Sequence, residues 1–593
     1  MFRSRPFFIY LLFFSIVIFY ILASKFSPMY LYAQVTETNL TPRFVSPRFV
    51  HSLENSNETD IDSISGIVSS SNSHVQTDLS PIANTNSSVL PLEIRDTIES
   101  RGVTAVSSNK TRPDEKEEIA TQVPYDIYKE NGYYFVDWEK PEIVLVFTGM
   151  TNGYIEPCGC AGMDRMKGGL SRRHTFVKQL RCDKGWNVIA IDTGQITTGF
   201  GVQEELKFDM AVNAFNLMNY DVIGLGKGEL RFPAYFLLTF TAPTSSNSQS
   251  LFTSANIGVY GFHSTYTLPY KVIERNGKRI GVASVIFVDQ TTERRDENLL
   301  YADPEKKLLE LVPKIKEEKC DEWILIVHGT KEDSLKLAEK FPFFKYIVTA
   351  DTPSEPPAEL HSTESGQAII EVGEKGKYAV VIGLYRDGST RYQRVALDSR
   401  FKSSPEVLLL MKDYQSILRA LIVSQGFRDG LGITPVRSPQ SELLGKYVGA
   451  QKCRSCHEDS YRIWSKTRHA NAWKSLKETA IPPRDFDPEC ISCHVVGWDG
   501  LQHFPYIDGY SSEKETPDLI NVGCECCHGA GEFHIVAELG NDEKLQKRIR
   551  TGMHLGSNVK KVCYQCHDGD NSPSFDFETY FPLIDHKKIV EDE

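Results

Sequence analysis

Cys453-Arg-Ser-Cys456-His457, Cys490-Ile-Ser-Cys493-His494, Cys524-Glu-Cys526-Cys527-His528 and Cys563-Tyr-Gln-Cys566-His567 repeat one pattern, Cys-x-x-Cys-His, four times near the end of the chain. Each reads as a c-type haem attachment site. Two thiols three positions apart can add to the two vinyl groups of one haem, and the adjacent His then sits under the iron as its proximal ligand. Zinc sites also use Cys pairs, but a closed tetrahedral site takes four ligands and seldom wants a His after every second Cys. Disulfides within the pairs would leave four histidines unexplained. The expected cofactor is therefore four covalently bound haems, on Cys453, Cys456, Cys490, Cys493, Cys524, Cys527, Cys563 and Cys566.

The other end of the chain agrees with that chemistry. In residues 1–33, Arg3 and Arg5 precede an apolar run from Phe7 to Ala23. The run is longer than an ordinary signal-peptide core and just long enough to span a bilayer. Positive charge before it favours an N-terminus inside and the body of the chain outside. Leu31-Tyr32-Ala33 is a weak cleavage site. Two readings stand: an uncleaved anchor over residues 7–24, which is preferred, or a cleaved signal peptide. Both export the chain, and thioether formation needs an exported, reduced Cys pair. The expected location is the periplasm or the outer face of the cytoplasmic membrane.

Residues 34–123 are rich in Ser, Thr and Asn, as in Ser69-Ser-Ser-Asn-Ser73. Such a composition buries too little apolar surface to offset chain entropy, and a disordered tether is expected. From residue 124 onward the chain reads as globular, with room for two domains or more. A net charge of −12 gives no nucleic-acid footprint.

Residues 124–402 read as α/β. Apolar runs at 143–147, 187–192, 221–224, 281–287, 323–327, 346–349 and 378–383 end in polar turns, with helical patterns over 169–182 and 208–219. The alternation suits a layered sheet with helices outside. Several blocks in this stretch resemble, in order, the 5′-nucleotidase branch of the metallophosphoesterases. They are Thr148-Gly-Met-Thr-Asn-Gly-Tyr-Ile-Glu-Pro157, Gly168-Gly-Leu-Ser-Arg-Arg173, Asp192-Thr-Gly-Gln195 and Ser254-Ala-Asn-Ile257. The resemblance implies a metallophosphoesterase-like layered sandwich. It also implies a departure. That family holds two metal ions that supply a nucleophilic hydroxide. At its ligand positions this chain has Met150, Asn152, Gln195, Lys227-Gly228 and Ala350-Asp-Thr-Pro353, and only His328 survives. No divalent metal pair is expected, and phosphoester hydrolysis is disfavoured, since fold alone does not fix function.

Cys158-Gly-Cys160 follows the first block. It admits a redox dithiol or soft-metal site, assisted by His328 or Asp351, or else a structural disulfide or two plain loop thiols. Cys158, Cys160 and His328 are the catalytic candidates of this domain. Cys182 and Cys320 each precede a strand, and a bridge between them would need Cα atoms within about 7 Å.

Residues 403–447 read as a helix from Pro405 to Ile422 followed by a linker, and 448–593 as the haem domain, mainly α and irregular. Nine of the chain's 15 histidines fall in it. Four are the proximal ligands His457, His494, His528 and His567; the others are His469, His503, His534, His554 and His586. The segment resembles the cytochrome c-552/4 family of multihaem proteins. The residues that carry the likeness are Trp464-Ser-Lys-Thr-Arg-His-Ala-Asn-Ala472, Cys490 through Gly497, Val522 through His534, and an aromatic stretch from Phe575 to His586. The resemblance implies His469, His534 and His586 as distal ligands. His554 is the fourth candidate and His503 its competitor.

The expected function is electron transfer by a membrane-tethered tetrahaem cytochrome, between a membrane quinol-side donor and a periplasmic redox protein, with the α/β domain as a docking module. The alternatives are a multihaem oxidoreductase acting on a small nitrogen or sulfur compound, at an open haem or at Cys158/Cys160, and a metal-dependent nucleotidase fused to a cytochrome.

Overall fold

The computed structural model describes residues 125–586 apart from 160–161, 243–248, 263–265 and 289–295. The expected membrane segment, the tether and Cys160 lie outside the described residues. Among the described residues, no helix is long and apolar enough to cross a membrane.

The apolar runs of the middle domain become strands of two six-stranded sheets. The first contains β1 (Ile143–Thr148), β2 (Val188–Asp192), β3 (Val222–Gly224), β4 (Phe252–Thr253), β13 (Tyr378–Leu384) and β14 (Thr390–Ala396), in the order β14-β13-β1-β2-β3-β4. β1 to β4 are parallel neighbours, whereas β13 runs antiparallel to β1 and to β14. The second sheet contains β6 (Tyr270–Arg275), β7 (Lys278–Ile286), β9 (Glu322–His328), β10 (Tyr346–Thr349), β11 (His361–Ser362) and β12 (Ala368–Glu371), in the order β11-β12-β10-β9-β7-β6. A separate pair joins β5 (Ile257–Val259) to β8 (Leu299–Tyr301).

Side chains alternate across a strand, so a strand buried on both faces must be apolar throughout. β1 is apolar from Ile143 to Phe147, and all six residues are buried, Thr148 at its end bonding Asp192. Its Ile143, Leu145 and Phe147 join Ile189 and Ile191 of β2 against Val282, Ile324, Ile326 and Val348 of the second sheet. Fully burying one such side chain contributes about 1.5–3 kcal/mol, so this shared core holds the two sheets together. The outer face of the second sheet, Ala283, Val285, Leu325, Val327 and Ile347, is covered by α3 (Pro304–Glu317) and α4 (Lys331–Lys340). Beside the first sheet, α1 (Leu170–Lys178), α2 (Val202–Leu217) and α5 (Pro405–Leu431) pack on one another. The result is helix, sheet, sheet, helix.

The segment expected to link the domains is built into them instead. α5 does not end at Ile422. It breaks at Gly426, whose φ is 71°, and continues to Leu431. Glycine tolerates that left-handed backbone without steric cost, and the break aims Phe427 at Trp498, with ring centroids 5.0 Å apart. Val436 N donates to Pro505 O at 3.1 Å, Ile507 N donates to Val436 O at 2.8 Å, and Leu444 is fully buried. The C-terminal domain itself has two small apolar clusters, one around Trp473, Ile491 and Trp498 and one around Leu444, Ala537 and Ile549. Between the domains, Lys375 and Lys377 both bond Asp570.

Candidate functional site

Short helical turns place the four motifs. Pro488–Ile491 is capped by Asp487, and Cys524–His528 closes on Gly529 with φ 81°. The decisive geometry lies in the imidazoles. The His457 ring faces that of His534 with centroids 6.0 Å apart and planes inclined by 18°. His469 faces His567 at 6.0 Å, and His528 faces His586 at 5.9 Å. A metal–imidazole bond of about 2 Å on each side, plus the two ring radii, adds up to about 6 Å. Each gap is of the size that would let both imidazoles hold one iron between them.

The second nitrogen of several rings is already spent on the protein. Nδ1 of His494 donates to Ala472 O at 2.6 Å, that of His528 to Met553 O at 3.0 Å, and that of His586 to Ile584 O at 3.2 Å. His567 Nδ1 shares a 3.0 Å bond with Ser572 Oγ. Such bonds fix the tautomer, leave Nε2 for a metal and orient the ring. Burial lowers the pKa of His469, His494 and His528 and brings that of His567 to about 4. These rings are neutral at neutral pH, the form that binds a metal.

The motifs also touch one another. The Cys453 thiol lies beside that of Cys524, and the Cys493 thiol beside that of Cys566. The first motif thus adjoins the third, and the second adjoins the fourth. His503 and His554, the two competing candidates for a fourth distal ligand, stand apart from the three ring pairs. His503 Nδ1 bonds Ser492 Oγ at 2.9 Å, inside the second motif, and His554 is exposed near His528. Cys526, the extra thiol of the third motif, donates to Val495 O at 3.4 Å.

Glu525 is a residue whose role spacing did not reveal. Its buried carboxylate accepts from the N–H groups of Val448, Gly449 and Gly531 at 2.7–3.1 Å, tying the third motif to the chain just before the first. Its only sequence signal was an acidic residue inside a haem motif.

In the α/β domain, the loops after β1 and β2 are zipped together. Met150 N donates to Gly194 O at 3.0 Å, Asn152 N to Gln195 O at 3.0 Å and Gly153 N to Ile196 O at 2.8 Å. Met150, Asn152 and Gln195 all have left-handed backbones, with φ between 48° and 57°. Below them Glu229 accepts from the N–H groups of Gly226, Gln195 and Ile196, and burial raises its pKa to about 7. Gln195 Oε1 accepts from Gly228 N at 2.8 Å. Arg173, 1 % exposed, pairs with the fully buried Asp192 at 3.0 Å. His328 is buried, and its Nε2 donates to Thr193 O at 2.5 Å. Asp351 accepts from Lys331 N at the start of α4. Cys158 is half-buried and lies beside the second haem motif. Cys182 is exposed and Cys320 is half-buried, and no disulfide joins them.

Four Cys-x-x-Cys-His motifs, three of them with a second imidazole facing the motif His, form the pattern of a c-type cytochrome segment. Residues 452–529 match the family described as "Cytochrome c554 and c-prime". A curated relative, cytochrome c-554 of Nitrosomonas europaea, is 37% identical over 97 residues, which is 14% of this chain and 39% of that protein. The chain thus spans about two fifths of the length of that relative. Among solved structures, the chain is similar to a 5′-nucleotidase precursor from Thermus thermophilus, with 16% identity, 47% of this chain and 59% of that chain covered, and a TM-score of 0.41. It is also similar to a 5′-nucleotidase from Candida albicans, with 12% identity, 63% and 71% covered, and a TM-score of 0.38.

Proposed function

We propose that this chain is an exported, membrane-tethered tetrahaem c-type cytochrome that carries electrons between a quinol-side donor and a periplasmic redox protein. The single observation behind the reading is the set of three facing imidazole pairs, each containing the His of a Cys-x-x-Cys-His motif. Haem bound at the four motifs would supply one-electron transfer. The chain's own part is to anchor each haem through two cysteines, to hold an imidazole on the proximal side, and at three motifs to offer a second one: His534, His586 or His469. The contacts between motifs one and three, and between two and four, keep the attachment sites close, as a relay requires.

The α/β domain acts in this reading as a docking module without hydrolytic activity. In support, the one surviving position of the two-metal set, His328, spends its Nε2 on a backbone carbonyl, and Gln195 spends its side-chain oxygen on Gly228 N.

Pyridine haemochrome quantification of the purified exported protein tests the reading, with four haems per chain expected. Any other count contradicts it. Turnover of nucleotides with added Mn²⁺ or Zn²⁺ that disappears in His328→Ala would overturn the assignment of the α/β domain.

A further inference from the structure

Two cations stand where the α/β domain meets the second haem motif. Arg484, 8 % exposed, donates from Nη1 to Pro157 O at 2.9 Å, in the loop that follows β1. It lies within electrostatic reach of Cys490 and Cys158, and its Nε finds no acceptor among the described residues. Lys207 of α2, 2 % exposed, bonds Glu204 at 3.1 Å and reaches across to Glu489, the residue before Cys490. Gln203 and Gln415 donate to Asp487 at 3.0 and 2.7 Å. Gly153 lies directly over Lys207, since a Cβ there would stand 3.3 Å from its Nζ. The carboxyl ends of parallel strands are where open α/β sheets bind ligands. Here that edge holds the peptide of the second motif.

Buried charges act on a neighbour more strongly than exposed ones, because water and salt screen them little. An oxidised haem carries one positive charge more than the reduced form. The couple is a single electron added to iron(III) to give iron(II), with no bond made or broken. A nearby buried cation disfavours the oxidised form and raises the potential, and a carboxylate lowers it; local charge is one of the levers a protein has on a haem. Asp487, Glu489 and Glu204 crowd this motif, and Lys207 and Arg484 oppose them.

We propose that the contact between the α/β domain and the second motif sets the reduction potential of the second haem, with Lys207 of the α/β domain and Arg484, held by Pro157 O of that domain, as the cations that keep it above the value its carboxylate neighbours would impose. The proposal rests on the tetrahaem reading above. The test is spectroelectrochemical titration of the full-length, haem-loaded protein, resolved haem by haem. In Lys207→Gln and Arg484→Gln, one step moves to lower potential while the others stay, and Lys207→Arg and Arg484→Lys restore it. Glu489→Gln, which removes an opposing carboxylate, moves the same step upward and covers the case in which a glutamine variant loses haem. Steps that stay put, or that all move together, overturn the proposal. Haem counts on the same samples separate the two ideas: a wild-type count other than four sinks the tetrahaem reading, and four haems with unmoved steps sink this inference alone.

Discussion

The imidazole of His469 faces that of His567 at 6.0 Å between centroids, although His469 follows the first haem motif and His567 belongs to the last. The pairing predicts a local effect of substitution. His469→Ala keeps every thioether and leaves one iron without its distal imidazole. Electron paramagnetic resonance then gains one high-spin haem signal, with the haem count unchanged. His534→Ala and His586→Ala do the same at the first and third motifs. A His469→Ala protein with only low-spin signals would break the pairing.

The third motif contains three thiols, but only Cys524 and Cys527 have the attachment spacing. Cys526 turns to Val495 O, and burial pushes its pKa up. Cys526→Ala therefore keeps the full haem count by mass spectrometry. Cys524→Ala removes one of the two thioethers of that haem, which stays covalently attached through Cys527 alone and shows the shifted reduced α-band of a singly linked haem.

Arg173 and Asp192 form an ion pair closed off from water. Removing one partner of such a pair leaves a buried charge without compensation and costs about 3–5 kcal/mol. Arg173→Met and Asp192→Asn should each lower the denaturant midpoint of the α/β domain sharply. A change near zero would mean that the pair is open to solvent.

His328 supplies a pH dependence. Burial lowers its folded pKa to about 4, while an unfolded His titrates near 6.5. The folded state keeps the ring neutral, so stability is full above pH 6.5 and is lost as pH falls towards 4. The full effect is roughly 3 kcal/mol. His328→Asn should flatten the fall in unfolding midpoint between pH 7 and pH 5 relative to wild type. Parallel curves for the two proteins would exclude the assignment.

Much of this could be read from the sequence where a single local run carries the information. β1, β9 and β13 are continuous apolar stretches buried on both faces, and such runs announce themselves. β4, β5 and β11 are two or three residues long and exist only because a neighbour pairs with them. The haem cysteines and their proximal histidines follow from fixed spacing. The partners do not: His534 follows the third motif and faces the first, so the pairs come from chain crossings that no spacing encodes. Gly426 signals a helix end, yet the helix resumes because Phe427 packs against Trp498 of the C-terminal domain. Lys207 and Arg484 read as ordinary charged residues until the two domains are seen in contact.

In the reading proposed above, facing histidines hold iron at three of the Cys-x-x-Cys-His motifs. Near-infrared magnetic circular dichroism of the oxidised full-length protein, calibrated against its haem content, tests it most directly. The account predicts at least three low-spin haems per chain with two axial imidazoles. Fewer than three would contradict it.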